Sequence, residues 1–173
     1  MTTLATTRLT LRPPEPGDAA ALVRGLGNFA VSQWTGRVPH PYGLEDADAY
    51  ITHCRSLADK SLGLVITLER AIIGGIGIEG ELGYWLAERY WGQGFATEAA
   101  RAVADHAFTA LSFNELAASY QLGNIASRRI LLGLGFIETG ESTGFSKARQ
   151  KETQLMRLTL TRDGWQNAKE RRR

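Results

Sequence analysis

Cysteine is almost missing from this chain: Cys54 is the only one in 173 residues, which excludes an intrachain disulfide and a thiolate metal cluster. Histidine is nearly as scarce. His40, His53 and His106 are scattered without ligand spacing, so no metal is expected. No apolar run approaches the ~20 residues of a membrane span, and the N-terminus lacks a leader pattern. The chain is therefore expected in the cytoplasm, with no membrane partner. An excess of either charge is lacking too. Twenty basic against eighteen acidic residues leave a formal net charge of +2, too small to imply nucleic acid as the main partner. Internal repeats and domain linkers are absent, and 173 residues with 43% hydrophobic content suit one domain spanning residues 1–173. Lys169 and Arg171 to Arg173 make the end basic, and residues 166–173 are expected to form a flexible tail.

Two nucleotide motifs are missing as well. No Gly-Lys-Ser/Thr follows the glycine-rich turn, and no Gly-x-Gly-x-x-Gly occurs in it, so nucleoside triphosphate and nicotinamide readings lose support. What is present is the run at residues 81–100, ELGYWLAERYWGQGFATEAA. Leu82, Tyr84 and Leu86 alternate with smaller or more polar neighbours, as in a strand ending near Ala87. Gly92, Gly94 and Ala96 then sit two apart, where bulkier side chains would hold an anion away from the main chain. A helix follows with Ala99, Ala100, Val103, Ala107 and Phe108 on one side, and Arg101 and Asp105 are placed as a pair on the other. Its N-terminus presents unpaired N–H groups and a positive dipole end, a cradle for phosphate oxygens.

Residues 116–121 (LAASYQ) read as a second strand and residues 127–134 as a second helix. A helical crossover makes the two strands parallel, so the turn at residues 91–96 and the turn at residues 123–127 share one sheet edge, where open α/β sheets bind ligands. Ser127 is placed to cap the last helix, leaving Asn124 to point into the cleft. The remaining layout is a strand over residues 7–12, a helix starting near Pro16 or Asp18, and a helix at residues 44–57. Strands at Leu62–Leu68 and residues 72–78 should pair antiparallel, with Gly74, Gly75 and Gly77 marking a bulge or a close approach. Closing strands near residues 144–149 and 154–160 complete the sheet. The fold class is α/β (α+β), a single domain with a mixed sheet of six or seven strands and about four helices.

The run G-Y-W-L-A-E-R-Y-W-G-Q-G-F-A-T-E-A from Gly83, with N-I-A-S from Asn124 and L-G-F from Leu134, resembles the GCN5-related N-acetyltransferase (GNAT) superfamily, and within it the RimJ/RimL-like branch. The similarity extends to T-R-L-T-L-R-P from Thr7 and to His40-Pro41-Tyr42 with Glu45-Asp46-Ala47; only residues 139–152 have no recognisable pattern. The superfamily signature Gln/Arg-x-x-Gly-x-Gly/Ala fits either from Arg89 or from Trp91. The register from Trp91 suits the strand end and helix start better, with the Trp91 contact expected from its backbone amide.

The resemblance implies acetyl-coenzyme A as acetyl donor, with direct attack by a primary amine on a protein N-terminus or a small molecule. The alternative is an inactive regulatory module that only binds coenzyme A. It implies splayed parallel fourth and fifth strands, with the donor on Trp85, Leu86 and Ala87, on Trp91, Gly92, Gln93, Gly94, Phe95 and Ala96 of the turn, and on Asn124 and Ser127. Ser127 matches the position from which a hydroxyl can protonate the departing thiolate. Glu81 fits by position as the group that helps deprotonate the amine, or else is a solvated residue at a strand edge. Glu98 reads as a helix-dipole partner, Cys54 as structural, and Tyr84 and Tyr120 as either core or cleft lining. Trp34, His40 and Tyr42 are the acceptor-pocket candidates, with simple packing as the competing reading. A homodimer is allowed by this reading.

Overall fold

A computed structural model describes residues 2–58 and 60–172. Eight strands form one sheet: β1 (Leu4–Ala5), β2 (Thr10–Arg12), β3 (Leu62–Leu68), β4 (Ala71–Glu79), β5 (Glu81–Leu86), β6 (Glu115–Gln121), β7 (Ile137–Ser146) and β8 (Lys151–Thr161). Their order is β1-β2-β3-β4-β5-β6-β8-β7. The helices are α1 (Ala19–Leu26), α2 (Phe29–Ser32), α3 (Leu44–Ser56), α4 (Phe95–Thr109), α5 (Ile125–Leu134) and α6 (Arg162–Glu170). The strand count exceeds the expected six or seven because Leu4–Ala5 adds a short edge ladder to β2. The expected fourth and fifth strands are therefore β5 and β6.

Each face of the sheet has its own core. On one, Leu82 and Leu86 of β5 and Leu158 and Leu160 of β8 pack under α4, α5 and α6. On the other, Val65 packs against Leu22 and Leu26 of α1 and Ala47 and Ile51 of α3, with the Trp85 ring against that cluster. The period-2 alternation of β5 is what serves both cores at once. Among the described residues, no helix is long and apolar enough to cross a membrane.

The glycines of β4 do mark both a bulge and a close approach. Pairing runs from Ile66 with Gly74 to Thr67 with Ile72, leaving Ile73 as the extra residue. The close neighbour is Trp85: a Cβ added at Gly75 would lie 2.5 Å from its indole nitrogen, and one added at Gly25 of α1 would lie 2.5 Å from its ring. Two glycines thus make the slot that one tryptophan fills.

Three expectations are corrected here. Residues 166–170, expected to begin a flexible tail, belong to α6, whose Trp165 is 2% exposed and stacks on Phe108 at 6.4 Å. Arg172 continues this anchoring by donating to the carbonyls of Ala168 and Leu134, while Arg173 lies outside the described residues. The unpatterned residues 139–152 are the greater part of β7 with the turn into β8. Asp105 of α4 also pairs with Lys169 of α6 at 2.6 Å, not with Arg101.

Candidate active site

The parallel ladder between β5 and β6 is two pairs long, Glu81 with Ala117 and Leu82 with Ala118. Beyond it the strands part, β5 staying on β4 as far as Leu86 and β6 staying on β8 as far as Gln121. A gap opens at their C-terminal ends. Ala87 donates its N–H to the Ile73 carbonyl of β4. Strand alternation then turns the N–H groups of Leu86 and Tyr84 toward β6, so of the three expected strand residues Leu86 alone aims its amide at the gap. The Leu86 carbonyl accepts from the Trp91 indole at 2.8 Å. Trp85 and Ala87 are therefore framework at this point.

The turn after β5 is built from backbone. Gly92 and Gly94 have φ of 73° and 80°, the left-handed region that costs other residues about 1 to 2 kcal/mol. Gly94 is the N-cap of the 15-residue α4. Among the described residues, the N–H groups of Gly92, Gln93, Gly94 and Phe95 have no acceptor in the protein, and a Cβ at Gly92 would meet nothing within 4 Å. Free amides, open space and a helix N-terminus fit a phosphate group. The Trp91 amide does not join them, because it donates to Glu88 at 3.0 Å; the expected backbone contact from Trp91 is corrected accordingly. Phe95 and Ala96 are buried and hold the first turn of α4 in the core.

One residue at this turn was not anticipated. Arg8, in the loop between β1 and β2, donates to the Gln93 carbonyl at 3.1 Å and to Glu98 at 2.7 Å, with its guanidinium 4.4 Å above the Phe95 ring. Glu98 also accepts from Thr6 Oγ1 and from the Arg8 amide. Burial alone would raise the Glu98 pKa, but the bonds from Thr6 and Arg8 outweigh it and hold the carboxylate below its ordinary value. Glu98 thus ties the turn to the N-terminal strands, a tertiary role beyond that of a dipole partner.

Across the gap, the cap assignment is reversed. Asn124 is the N-cap of α5 and its Oδ1 accepts from the Ser127 amide at 3.1 Å. The Ser127 hydroxyl instead lies 3.0 Å from the Tyr84 hydroxyl, which bridges β5 to α5. Burial pushes the Tyr84 pKa up to about 12, so this phenol stays protonated. Tyr120 faces away, donating to Glu138 at 2.8 Å.

Glu81, Ser119 and Gln121 lie on the opposite face of the two strands from Tyr84. Glu81 Oε2 accepts from Ser119 at 2.8 Å and Oε1 from Arg157 at 2.8 Å, so its carboxylate is ion-paired at the start of the split. The acceptor-side candidates separate. Trp34 lies beside the end of β6, 3.8 Å from a Cβ built at Gly123, and its ring is 4.8 Å below the Arg149 guanidinium. His40 is exposed and edge-on to Phe29 at 5.0 Å. Tyr42 is 7% exposed and packed in the smaller core, so its ring is packing and not surface. Its hydroxyl has no hydrogen-bond partner among the described residues, and burial raises its pKa to about 12. Cys54 is likewise packed on α3, its thiol pushed up by burial. Two cavities open on this face. One of about 520 Å³ lies between α1 and the end of β5, lined by Arg24, Asn28, Trp85 and Arg89. The other, about 330 Å³, lies between the end of β6 and the β7–β8 turn.

A mixed sheet with two parallel strands parting beside a helix N-terminus whose amides are free fits a class of acyl-group transfer proteins. Residues 8–137 match the acetyltransferase (GNAT) domain family, and the chain belongs to it as an acetyl-coenzyme A-dependent acyltransferase. The uncharacterized N-acetyltransferase p20 of Bacillus licheniformis is 27% identical over 175 residues, 92% of this chain and 96% of that protein. The uncharacterized N-acetyltransferase YoaA of Bacillus subtilis strain 168 is 30% identical over 149 residues, 79% and 84% of the two chains. Among solved structures, Mycobacterium smegmatis RimJ in complex with a coenzyme A disulfide superposes with a TM-score of 0.81 at 22% identity, covering 94% of this chain and 88% of that one. RimL, a ribosomal alpha-N-protein acetyltransferase in complex with coenzyme A, gives 0.80 at 18% identity, covering 94% and 99%. At such identities these two likenesses establish the fold.

Proposed function

We propose that the chain transfers the acetyl group of acetyl-coenzyme A directly to a primary amine, on a protein N-terminus or a small molecule, in the cytoplasm. The observation that carries this reading is the parting of β5 and β6 after Leu82 and Ala118, at the same end of the sheet as the free amides of residues 92–95. In it, Gly92, Gln93, Gly94 and Phe95 hold the pyrophosphate, and Asn124 offers its side-chain NH2, which the cap leaves unused. When bound, the donor supplies an activated thioester whose acyl carbon an amine can attack. The Leu86 amide, aimed into the gap, is the preorganised donor for the charge that develops on the thioester oxygen. Ser127 gives a proton to the departing sulfur and is re-protonated from water with the proton that the amine releases, while the Tyr84 hydroxyl orients it and remains protonated.

Glu81 takes the amine's proton through water. Its two engaged oxygens each keep a second lone pair, so the Arg157 pair orients the carboxylate without closing it off. Trp34 and His40 border the acceptor's approach on this reading. The test is calorimetry with acetyl-coenzyme A followed by thiol release against a library of amines. Donor binding with amine-dependent thiol release supports the reading; donor binding with no release from any amine would favour a regulatory module. Glu81→Gln should move the pH–rate profile to higher pH, and an unaltered profile at full activity would remove Glu81 from the mechanism.

A further inference from the structure

The second cavity lies where two distant segments meet. Lys147 of the β7–β8 turn donates its amide to Gly36, and Arg149 Nε donates to the Gln33 carbonyl at 3.0 Å while Nη2 donates to the Gln33 side-chain oxygen at 3.3 Å. With Trp34 stacked beneath it, the Arg149 guanidinium is fixed in place although its outer edge remains free for a ligand. Lys151 lines the same cavity. Among the described residues, neither cation is paired with a carboxylate.

Register decides which charges face the space. Gln121 pairs with Leu155 and Ser119 with Arg157, so the odd-numbered residues of β8 share the face of Gln121 and Glu81. Lys151 and Thr153 belong to that face. Glu152 alternates to the other face of β8 and also lines the cavity, a single carboxylate against the two cations. Of the strand carboxylates on that face, Glu81 is paired with Arg157 and Glu79 with Arg37, with His53 beside it, while Glu115 lies at the opposite end of β6 from Gln121. The amide of Gln121, 5% exposed and uncharged, also lines the cavity, and its Oε1 has no donor among the described residues. A small space with two unpaired cations, one of them rigid, is therefore left beside the end of the gap.

Building on the acetyl-transfer reading, we propose that this cavity selects the acceptor, and that the enzyme prefers amines carrying a carboxylate, which Arg149 and Lys151 bind while the amine reaches toward the gap. A guanidinium held over an aromatic ring presents paired N–H groups to a planar carboxylate at little entropic cost. The carboxylate comes either from a small amino acid or from an acidic side chain near a peptide N-terminus.

The experiment compares matched acceptors that differ only in charge: an amino acid against its carboxamide, and a peptide with aspartate in second place against the same peptide with asparagine. Thiol release gives kcat/KM for each, and calorimetry gives acetyl-coenzyme A affinity separately. We expect at least a tenfold preference for the carboxylate member of one pair or both, and the pair that discriminates identifies the source. R149E should reverse or abolish that preference with donor affinity unchanged, and K151Q should reduce it. Equal kcat/KM within both pairs would overturn the proposal while leaving acetyl transfer intact; an R149E protein with the preference undiminished would do the same. Absence of donor binding would overturn both readings. The wild-type pairs need no variant, so the proposal remains falsifiable should R149E fail to fold.

Discussion

The two halves of the cleft are built from different material. On the proposed donor side, residues 92–95 offer free main-chain N–H groups and two left-handed glycines, all within one turn of sequence. On the proposed acceptor side, Trp34, Gln121, Arg149 and Lys151 offer side chains brought together from three distant segments. A main-chain site constrains sequence sharply, because only glycine holds φ near 80° without strain and leaves the approach open. A side-chain site leaves far more choices for recognising an acceptor. On the proposed reading, the difference puts the common step of the reaction and its selectivity in physically separable regions.

The strongest way to break that comparison is Gly94→Val. The added side chain faces left-handed strain of about 1 to 2 kcal/mol and lies against Arg8, whose Nη2 would be 3.5 Å from its Cβ. A displaced turn loses several amide bonds to an anion, each worth about 1.5 to 3 kcal/mol. Acetyl-coenzyme A affinity should fall by about 1000-fold in calorimetry. Unchanged affinity in a protein with native circular dichroism would move the donor site elsewhere. Ser127→Ala comes next. Turnover should fall about 100-fold with donor affinity nearly constant, because a proton given to the leaving sulfur strengthens only in the transition state. Tyr84→Phe should reproduce part of that loss if the phenol orients the Ser127 hydroxyl. A Ser127→Ala enzyme with full kcat would leave the thiolate to protonate from water.

The same contrast explains how much was legible before any coordinates. The strand at Leu62–Leu68 and the turn-to-helix junction at Gly94 are local patterns, read directly from apolar alternation and glycine spacing. The parallel pairing of β5 and β6 also followed, since a helical crossover forces it, whereas their splay was implied only by the family resemblance. By contrast β7, an edge strand with Phe145 57% and Ile137 70% exposed, buries neither face well and carries no alternating signal. Helix α6 buries only Trp165 and Ala168, too few apolar positions to announce a helix. Arg8 and Arg149 act on partners 90 and 116 residues away, a separation at which single-sequence patterning has nothing to say. The reversal at Asn124 and Ser127 has a simpler origin: both residue types cap helices, and the choice between them depends on where the first turn begins.

The mildest prediction sharpens the boundary between scaffold and site. Glu98 lies on the helix of the proposed donor turn, but its hydrogen bonds among the described residues go to Thr6 and Arg8, so Glu98→Gln should change donor affinity by less than about threefold. Its effect belongs to stability. Loss of a largely buried carboxylate accepting three bonds should cost about 2 kcal/mol at pH 7, read by urea unfolding. The sign of its pH dependence follows from the lowered pKa. A carboxylate depressed in the folded state stabilises above its ordinary value of 4.5, and that contribution disappears as pH falls through the folded value. Wild type and Glu98→Gln should therefore differ most near neutral pH and converge in acid. A stability gap that stays constant down to pH values where carboxylates are protonated would show that shape and neutral hydrogen bonding, rather than the Arg8–Glu98 charge pair, hold the turn to the N-terminal strands.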